Sequence, residues 1–379
     1  MQNLNIPPLR IASDYDPRWM TVKYFGFFDK ETVKIEAGRL LMLDIDLGRN
    51  CSLRCPTCFR KDNIVDDNCE DDLLYEEILN VVLDAKMLGL REVKICGAGE
   101  PFEYPKILDF ARFLTKHKIG LSIFTKGHVL GDDNIVRKIF GKFGFTNAIE
   151  LCKEFYTLKT SLLVGFQSFN DAIQDKIVGN IRGYTERRNR AIENLVSVGF
   201  NSTLPTRLAL CALPIIKDTY NELFDIYKFC RERNILPLIA PLMCSGKQFG
   251  DLYIKEIDVS SEKKIELYTT IYKYNISNKI QSAHDISEGV ISPMAGIHPC
   301  NQISAGLYLT LNGNVLRCPG SNDVLGNIRT ESLKKIWLNS PNYLLRGKYN
   351  CFCPAKDGKT ITKNFYRIIS RKISIPVQI

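Results

Sequence analysis

Short apolar runs alternate with amphipathic segments between about residues 40 and 245. Six of these runs have the length of strands, and they span Leu40–Asp46, Val93–Cys96, Leu121–Thr125, Leu162–Phe166, Arg207–Leu213 and Leu236–Leu242. Repeated strand and helix steps are typical of a parallel sheet covered by helices. The pattern predicts an α/β fold, a partial (β/α)6 barrel of the TIM type, with its chemistry where the strands end.

The segments between the runs carry helix signals. One helical face after the first strand holds Leu74, Ile78, Val81, Val82, Ala85 and Leu88, and Gly89 can end that helix. Thr185–Val198 has helical spacing and is followed by Gly199. Thr219 and Glu222 have the spacing of a capping box, which predicts the start of a further helix. Residues 129–157 form a longer, aromatic-rich connection.

A second, smaller unit follows the predicted barrel. We expect an N-terminal extension over residues 1–39, the barrel over 40–245, a linker with one helix (Ser261–Tyr274) over 246–297, an α+β unit over 298–355, and a basic tail over 356–379. In the smaller unit, Leu307–Leu311 and Val315–Cys318 flank Asn312 and Gly313. This pair predicts a β-hairpin whose two turn residues both have positive φ.

Composition and charge narrow the possible locations and partners of the chain. It has 379 residues with 45% hydrophobic and 25% charged positions, and no apolar run reaches the roughly 18 residues needed to span a bilayer. Its first ten residues are polar and lack the pattern of a signal peptide. We therefore expect a cytoplasmic protein with no membrane partner. The only support for binding nucleic acid is the formal charge of +9. This support is weak, so we do not expect nucleic acid as a partner.

The tail concentrates positive charge in Lys356, Lys359, Lys363, Arg367, Arg371 and Lys372, against only Asp357. Such a tail is either a solvated helix face or a site that attracts an acidic electron carrier, a phosphate-bearing substrate or nucleic acid.

Three cysteines carry the strongest chemical signal. Thirteen cysteines without an export signal favour metal sites over disulfides. Cys51, Cys55 and Cys58 occupy one short loop directly after the first predicted strand. Three thiolates around a cubane iron-sulfur cluster leave one iron open to a further ligand. The alternative is a zinc loop, but structural zinc takes four ligands and no nearby histidine supplies the fourth.

This loop resembles the signature of the radical S-adenosylmethionine (SAM) superfamily, Cys-x3-Cys-x2-Cys at the end of the first barrel strand. The segment from Cys96 to Pro101, Cys-Gly-Ala-Gly-Glu-Pro, is similar to the family's Gly-Gly-Glu-Pro. The resemblance implies that Gly97, Gly99 and Glu100 bind the amino group of SAM. Glycines allow close approach of the backbone, and a carboxylate pairs with an ammonium.

Other cofactor contacts follow from the same resemblance. It implies contacts from Thr57 and Phe59, in and after the cysteine loop. The serine that relatives place on the fourth strand is replaced here by Gly165, so Gln167 or Ser168 would substitute for it. Arg207 is expected either to meet the SAM carboxylate or the substrate, or to form a surface ion pair.

Lys126 departs from the family pattern, because relatives often have asparagine at this position. We expect its side chain to be exposed, with a role in the pocket as the alternative. His128 and His298 are of interest only because they lie near predicted loops of the site.

Four later cysteines resemble a shortened SPASM domain, also called twitch. Cys300, Cys318, Cys351 and Cys353 would form a four-thiolate shell once the hairpin returns Cys318 toward Cys300. The resemblance implies a second, auxiliary 4Fe-4S cluster, and structural zinc is the alternative. The remaining thiols are expected to be buried fillers, namely Cys69, Cys96, Cys152, Cys211, Cys230 and Cys244.

The resemblance implies an oxidoreductase-like enzyme that cleaves SAM to a 5′-deoxyadenosyl radical and takes hydrogen from a small polar metabolite. An acidic electron donor such as flavodoxin or ferredoxin would supply the electron. Modification of a ribosomally made peptide is the rival hypothesis, and about 39 residues before the first strand are few for a leader-binding domain. A non-catalytic iron-sulfur or zinc protein is the alternative from another class.

Overall fold

A nine-stranded sheet forms the centre of the computed structural model, which describes residues 4–9, 25, 28–58, 71–243, 252–286, 293–297 and 299–374. Its order is β6-β5-β4-β3-β2-β1-β7-β8-β9. The strands are β1 (Met42–Asp46), β2 (Glu92–Gly97), β3 (Gly120–Thr125), β4 (Ser161–Gly165), β5 (Leu208–Ala212), β6 (Leu236–Ile239), β7 (Gly306–Leu309), β8 (Asn314–Leu316) and β9 (Val324–Asn327).

The first six strands are parallel, and each pairs with the next in sequence. This confirms the predicted α/β fold class with a partial (β/α)6 barrel. Strand β6 ends at Ile239, ahead of Pro241, which has no N–H to give to a ladder. Because parallel strands end at the same edge, the loops after β1 to β4 lie together there.

Helices follow the strands as the periodicity predicts. The longer ones are α1 (Lys30–Ile35), α2 (Tyr75–Met87), α3 (Ile107–Lys116), α4 (Asp133–Phe140), α5 (Ala148–Thr157), α6 (Asp171–Ile177), α7 (Tyr184–Val198), α8 (Leu223–Arg231), α9 (Leu252–Ile257), α10 (Ser261–Ser277), α11 (Leu333–Asn339) and α12 (Phe365–Ile373). Short helices lie at Ala283–Asp285, Gln302–Ala305 and Pro341–Leu344. The connection 129–157 contains α4, α5 and two 3₁₀ turns.

Two predictions about the helices differ from the structure. Leu74 was expected on the buried face of α2 but is 66% exposed, because it is the N-cap residue and its extended backbone lies outside the helical period. The capping box of Thr219 and Glu222 does not form, since the Thr219 side chain makes no cap hydrogen bond. The carboxylate of Glu222 instead accepts hydrogen bonds from the hydroxyl of Ser168 and from the backbone N–H of Phe169.

The predicted hairpin is present, with β7 and β8 antiparallel. Only Gly313 of the two turn residues has positive φ, at 80°. The turn is wider than two residues, because the Thr310 N–H donates to the Asn314 carbonyl. Strand β7 also pairs in parallel with β1, so the hairpin extends the sheet of the barrel.

The two faces of the barrel strands differ. Leu162, Leu208 and Leu210 pack into the large core beneath the helices. The alternate residues Leu163 and Ala209 belong to a separate apolar cluster inside the barrel. The interior of the barrel is therefore apolar along β4 and β5.

The basic tail contains α12, with Phe365 and Ile369 buried and the basic residues Arg367, Arg371 and Lys372 exposed. Lys356, by contrast, is 6% exposed. Within the described residues, no helix is long and apolar enough to cross a membrane.

Candidate functional site

The cysteine loop lies immediately after β1, at the carboxyl edge of the sheet. Cys51, Cys55 and Cys58 are all half-buried and reduced. The N–H of Cys58 donates to the carbonyl of Cys55, which forms a tight turn between the two thiols. Burial, reinforced by Glu100, raises the pKa of Cys51 to about 12. Binding of a metal centre must therefore displace the proton of this thiol.

Backbone pairing with the loop after β2 gives the cysteine loop its first anchor. The N–H of Gly99 donates to Gly48 and that of Glu100 to Asn50, both at 2.7 Å. A Cβ on Gly99 would overlap the Asn50 carbonyl oxygen and lie 2.6 Å from the carbonyl carbon of Arg49. Glycine at 99 is thus required by the approach of the chain's own backbone.

Gly99→Ala is expected to destabilise the protein by about 1–3 kcal/mol, because the clash is with backbone that cannot rotate away. Thermal unfolding should show a melting temperature several degrees lower. Gly141→Ala is the matched control, since a Cβ there meets no atom within 4 Å. An equal melting temperature for the two variants would contradict this account of Gly99.

A hydrogen-bonded group of Ser52, Glu103 and His128 gives the second anchor. The Glu103 carboxylate accepts from the Ser52 N–H at 2.8 Å and from its hydroxyl at 2.6 Å. Nε2 of the buried His128 lies 2.9 Å from Glu103. Burial opposes the charge of Glu103, but the hydrogen bonds from His128 and Ser52 outweigh burial and lower its pKa. The charged carboxylate therefore holds the loop at the residue after Cys51.

Glu103→Gln is expected to make the cysteine loop release its metal faster. The change keeps the shape but removes the charge that strengthens these hydrogen bonds, each contributing about 1.5–3 kcal/mol. Transfer of iron to a chelator should become about tenfold faster or more. Glu154→Gln, which alters a surface pair with Arg112, should leave the rate unchanged. Equal rates for the two variants would remove Glu103 from this role.

The chain after β4 gives the third anchor. The N–H of Arg54 donates to the Val178 carbonyl at 3.0 Å. Gly179, with φ of 90°, lies so close that a Cβ would be 2.6 Å from the Arg54 carbonyl oxygen. Leu53, Val178 and Tyr184 then form a small apolar cluster beneath the loop. The chain after β4 thus packs directly on the cysteine loop.

Glu100 lies between the ends of β2 and β3. Its carboxylate accepts from the hydroxyl of Thr125 and from the backbone N–H of Lys126, the latter at 2.8 Å. Burial raises the pKa of Glu100. A positively charged group placed beside this carboxylate would lower that pKa again and be held in return.

The side chain of Lys126 is half-buried, whereas the sequence analysis expected it to be exposed. Its side chain extends over Gly165 at the end of β4, inside the mouth of the barrel. Burial disfavours the ammonium, but Cys55, Tyr184 and Cys58 outweigh burial and raise the pKa of Lys126. The physical reason for the difference is the missing side chain at 165, which leaves room for the lysine.

The remaining predicted cofactor contacts lie either near the ends of β1 and β2 or just after β4. Thr57 is half-buried in the cysteine loop, and Gly97 is the last residue of β2. Gln167 and Ser168 are buried directly after β4. The hydroxyl of Ser168 donates to Glu222, whereas Oε1 of Gln167 has no hydrogen-bond partner within the described chain. Phe59 lies outside the described residues.

The structure does not bring Arg207 to the site, which corrects that expectation. Arg207 precedes β5, at the edge of the sheet opposite the cysteine loop. Its guanidinium donates to the Tyr156 carbonyl at 3.0 Å and lies over the Tyr156 ring. Among the described residues it forms no ion pair, and at 6% exposure it does not lie on the surface.

The four later cysteines come together near the start of β7. Cys318 is buried, and burial, followed by the charges of Cys353 and Cys300, raises its pKa to about 12. Burial also raises the pKa of Cys351, with Cys300 adding to the effect. The N–H of Cys353 donates to Asp357 at 2.8 Å. These mutual effects place Cys300 within electrostatic range of the other three thiols.

Polar residues that the sequence analysis missed are buried inside the barrel. Lys94 Nζ lies 3.2 Å from Asp44, and the hydroxyl of Tyr308 donates to Asp46 at 2.5 Å. Cys96 also hydrogen-bonds to Asp44, so it is more than the apolar filler expected. The sequence did carry a signal for these residues, namely charged side chains at alternate positions of otherwise apolar strands.

Other expectations for cysteine and histidine have mixed outcomes. Cys152 and Cys230 are buried in the main core, and Cys211 is buried inside the barrel, as expected for fillers. His128 belongs to the second anchor. Cys69, Cys244 and His298 lie outside the described residues.

The donor set fits iron-sulfur clusters in its chemistry. Soft thiolates are the usual ligands of such clusters, and the chain places three and then four of them in separate groups. In the portion of the chain that is described, no three cysteine, histidine or acidic side chains surround a single point closely enough to hold one metal ion. A cubane requires no such convergence, because each thiolate binds a different iron.

Two family models match the chain in these regions. The model of the Radical SAM superfamily matches residues 45–230. The chain belongs to the Radical SAM superfamily. The SPASM iron-sulfur cluster-binding domain matches residues 300–354 of this radical SAM protein. The two families imply 4Fe-4S clusters and SAM as its cofactors, which confirms that expectation.

Two curated proteins resemble this radical SAM protein over part of its length. A tungsten-containing aldehyde ferredoxin oxidoreductase cofactor-modifying protein of Pyrococcus furiosus is 34% identical over 92 residues, 24% of this chain and 25% of its own. A GTP 3′,8-cyclase of Clostridium perfringens is 34% identical over 94 residues, 24% of this chain and 28% of its own. The chain thus matches about a quarter of the length of these relatives.

Solved structures share the fold over more of the chain. Streptococcus suis SuiB bound to S-adenosylmethionine is 18% identical with a TM-score of 0.53, covering 81% of this chain and 67% of SuiB. Native anSMEcpe with bound AdoMet and a peptide is 13% identical with a TM-score of 0.55, covering 88% of this chain and 95% of its own. At these identities the likeness establishes the fold.

Proposed function

We propose that this radical SAM enzyme cleaves SAM reductively and removes a hydrogen atom from a small polar metabolite, which is thereby oxidised or rearranged. The observation that carries the proposal is the grouping of Cys51, Cys55 and Cys58 in one loop, held by three anchors at the mouth of the barrel. When bound, the cluster and SAM supply a 5′-deoxyadenosyl radical. The protein supplies binding, orientation and exclusion of water.

Each part of the chain has a distinct role in this proposal. Cys51, Cys55 and Cys58 would hold the first cluster, and Glu100 would hold the amino group of SAM with Gly97 and Gly99 beside it. Thr57 and Gln167 are further candidates for contacts with SAM. Oε1 of Gln167 supports this choice, because a buried carbonyl without a partner is costly unless a ligand donates to it.

The second group of thiols, Cys300, Cys318, Cys351 and Cys353, would hold the auxiliary cluster. This cluster would accept an electron from the substrate or help to hold the substrate. We divide the chain accordingly into a SAM-cleaving barrel over residues 40–245 and an auxiliary unit over residues 298–355.

The interior of the barrel supports a polar substrate. Asp44, Asp46 and Lys94 are buried along β1 and β2, and Tyr308 adds a hydroxyl from β7. The apolar cluster that contains Leu163 and Ala209 lies on β4 and β5. A molecule bound between them would place hydroxyl or amino groups toward the acids and its carbon skeleton toward the apolar residues.

Transfer of deuterium tests the proposal and identifies the class of substrate. The reduced, cluster-loaded enzyme is incubated anaerobically with SAM and extracts of cells grown in deuterated medium, separated by molecular mass. We expect the low-mass fraction to yield 5′-deoxyadenosine that carries deuterium. An enzyme that forms 5′-deoxyadenosine without deuterium from this fraction would contradict the choice of a small metabolite.

Modification of a peptide is the second candidate. It is favoured by the fold shared with anSMEcpe, whose structure contains a bound peptide and overlaps 88% of this chain. In the same experiment it predicts deuterium transfer from the peptide fraction only.

An acidic protein such as flavodoxin or ferredoxin would deliver the electron. The exposed face of α12 with Arg367, Arg371 and Lys372 is its proposed docking site, because opposite charges steer such encounters.

A further inference from the structure

Lys126 fills a space that Gly165 leaves open. A Cβ on Gly165 would lie 2.9 Å from Cδ of Lys126 and 3.3 Å from its Nζ. Gly165 is the last residue of β4, at the carboxyl edge where the cysteine loop lies. The ammonium therefore lies at the mouth of the barrel, across from Cys55 and Cys58.

Within the part of the chain that the structure describes, this ammonium has no acidic partner. Nζ of Lys126 makes no ion pair or hydrogen bond with any residue that the structure describes. The nearby carboxylate of Glu100 already accepts from Thr125 and from the backbone N–H of Lys126. A half-buried cation without an anion is costly, so a ligand with negative charge would stabilise it. Thiolates bound to iron would satisfy it only in part, because they share their charge with the metal.

Glu100 and Lys126 together present one negative and one positive charge at the ends of neighbouring strands. The methionine part of SAM carries the complementary pair, an ammonium and a carboxylate on the same carbon. We propose that Lys126 binds the carboxylate of SAM while Glu100 holds the ammonium. The family pattern, which often has asparagine at position 126, does not include this contact. The inference rests on the proposed function, since it requires that SAM binds in this mouth.

A comparison of SAM with decarboxylated SAM isolates the contact. Binding of each ligand to the cluster-loaded protein is measured by equilibrium dialysis, without reductant or substrate. Lys126→Met keeps the length and apolar stem of the side chain but removes its charge. We expect this change to weaken SAM binding about tenfold or more and to leave decarboxylated SAM binding unchanged. Lys138→Met, on the exposed face of α4, is the control and should change neither affinity.

A second variant reaches the same contact from the other side. Gly165→Ala places a Cβ against the Lys126 stem and displaces the ammonium without removing it. It should also weaken the binding of SAM and spare decarboxylated SAM, which covers the case in which Lys126→Met does not retain its iron.

Two results would overturn the inference: unchanged SAM affinity in both variants, or equal weakening of the binding of both ligands. Failure of the wild-type protein to bind SAM at all would instead refute the proposed function.

Discussion

Cys55→Ala is expected to abolish the cleavage of SAM. Cys55 is the central thiol of the loop, and its removal leaves two ligands for a cluster that needs three to remain bound with one open iron. The measurement is the amount of 5′-deoxyadenosine formed anaerobically with SAM and a strong reductant. We expect the variant to form none above the background without enzyme.

Cys152→Ala is the matched control for this experiment. Cys152 is fully buried in α5 within the main core, and its pKa is raised to about 12 by burial alone. Its replacement removes a thiol without touching either group of ligands, so cleavage should continue. Undiminished cleavage in Cys55→Ala would exclude this cysteine as a ligand.

Cys318→Ala is expected to separate the two clusters. Cys318 is buried beside Cys300 and Cys353, on the side of the barrel where β7 joins β1. Loss of this thiol should release the iron of the auxiliary cluster and stop formation of product from substrate. SAM cleavage should persist, because the loop of Cys51 and its three anchors do not involve this residue.

Iron content and 5′-deoxyadenosine formation, measured on the same preparation, test this separation. The expected result is about half the iron of the wild type together with retained cleavage. Cys230→Ala, another buried thiol outside both groups, should keep all the iron. Unchanged iron in Cys318→Ala would show that Cys318 holds no cluster, and turnover without the auxiliary iron would remove that cluster from the reaction.

The strands were predictable from the sequence because each is a short apolar run with its own turn signals. The predictions that failed are those in which a contact with a residue distant in sequence determines the local structure. Glu222 was expected to cap its own helix, but the hydroxyl of Ser168, 54 residues away, donates to it. At Asn312 the two-residue turn was expected from local preference, yet the wider turn forms where Asn327 donates to the Asn312 carbonyl.

The grouping of Cys51, Cys55 and Cys58 was also predictable, because the three thiols share one loop and their spacing is visible in sequence. Their supports were not. Glu103 and His128 follow different strands, and nothing local indicates that both meet Ser52. Lys126 was misplaced because the space it occupies is created by a glycine on the next strand. Arg207 was expected at the wrong end of its strand. It precedes β5 and thus lies at the edge of the barrel opposite the cysteine loop.

The central claim is that the thiolates of Cys51, Cys55 and Cys58 hold a cluster with one iron free to bind SAM. Electron paramagnetic resonance of the reduced Cys318→Ala protein, recorded with and without SAM, tests it directly because only the barrel cluster should remain. We predict that SAM changes the spectrum. An identical spectrum in both samples, or a protein that carries zinc in this loop, would contradict the claim.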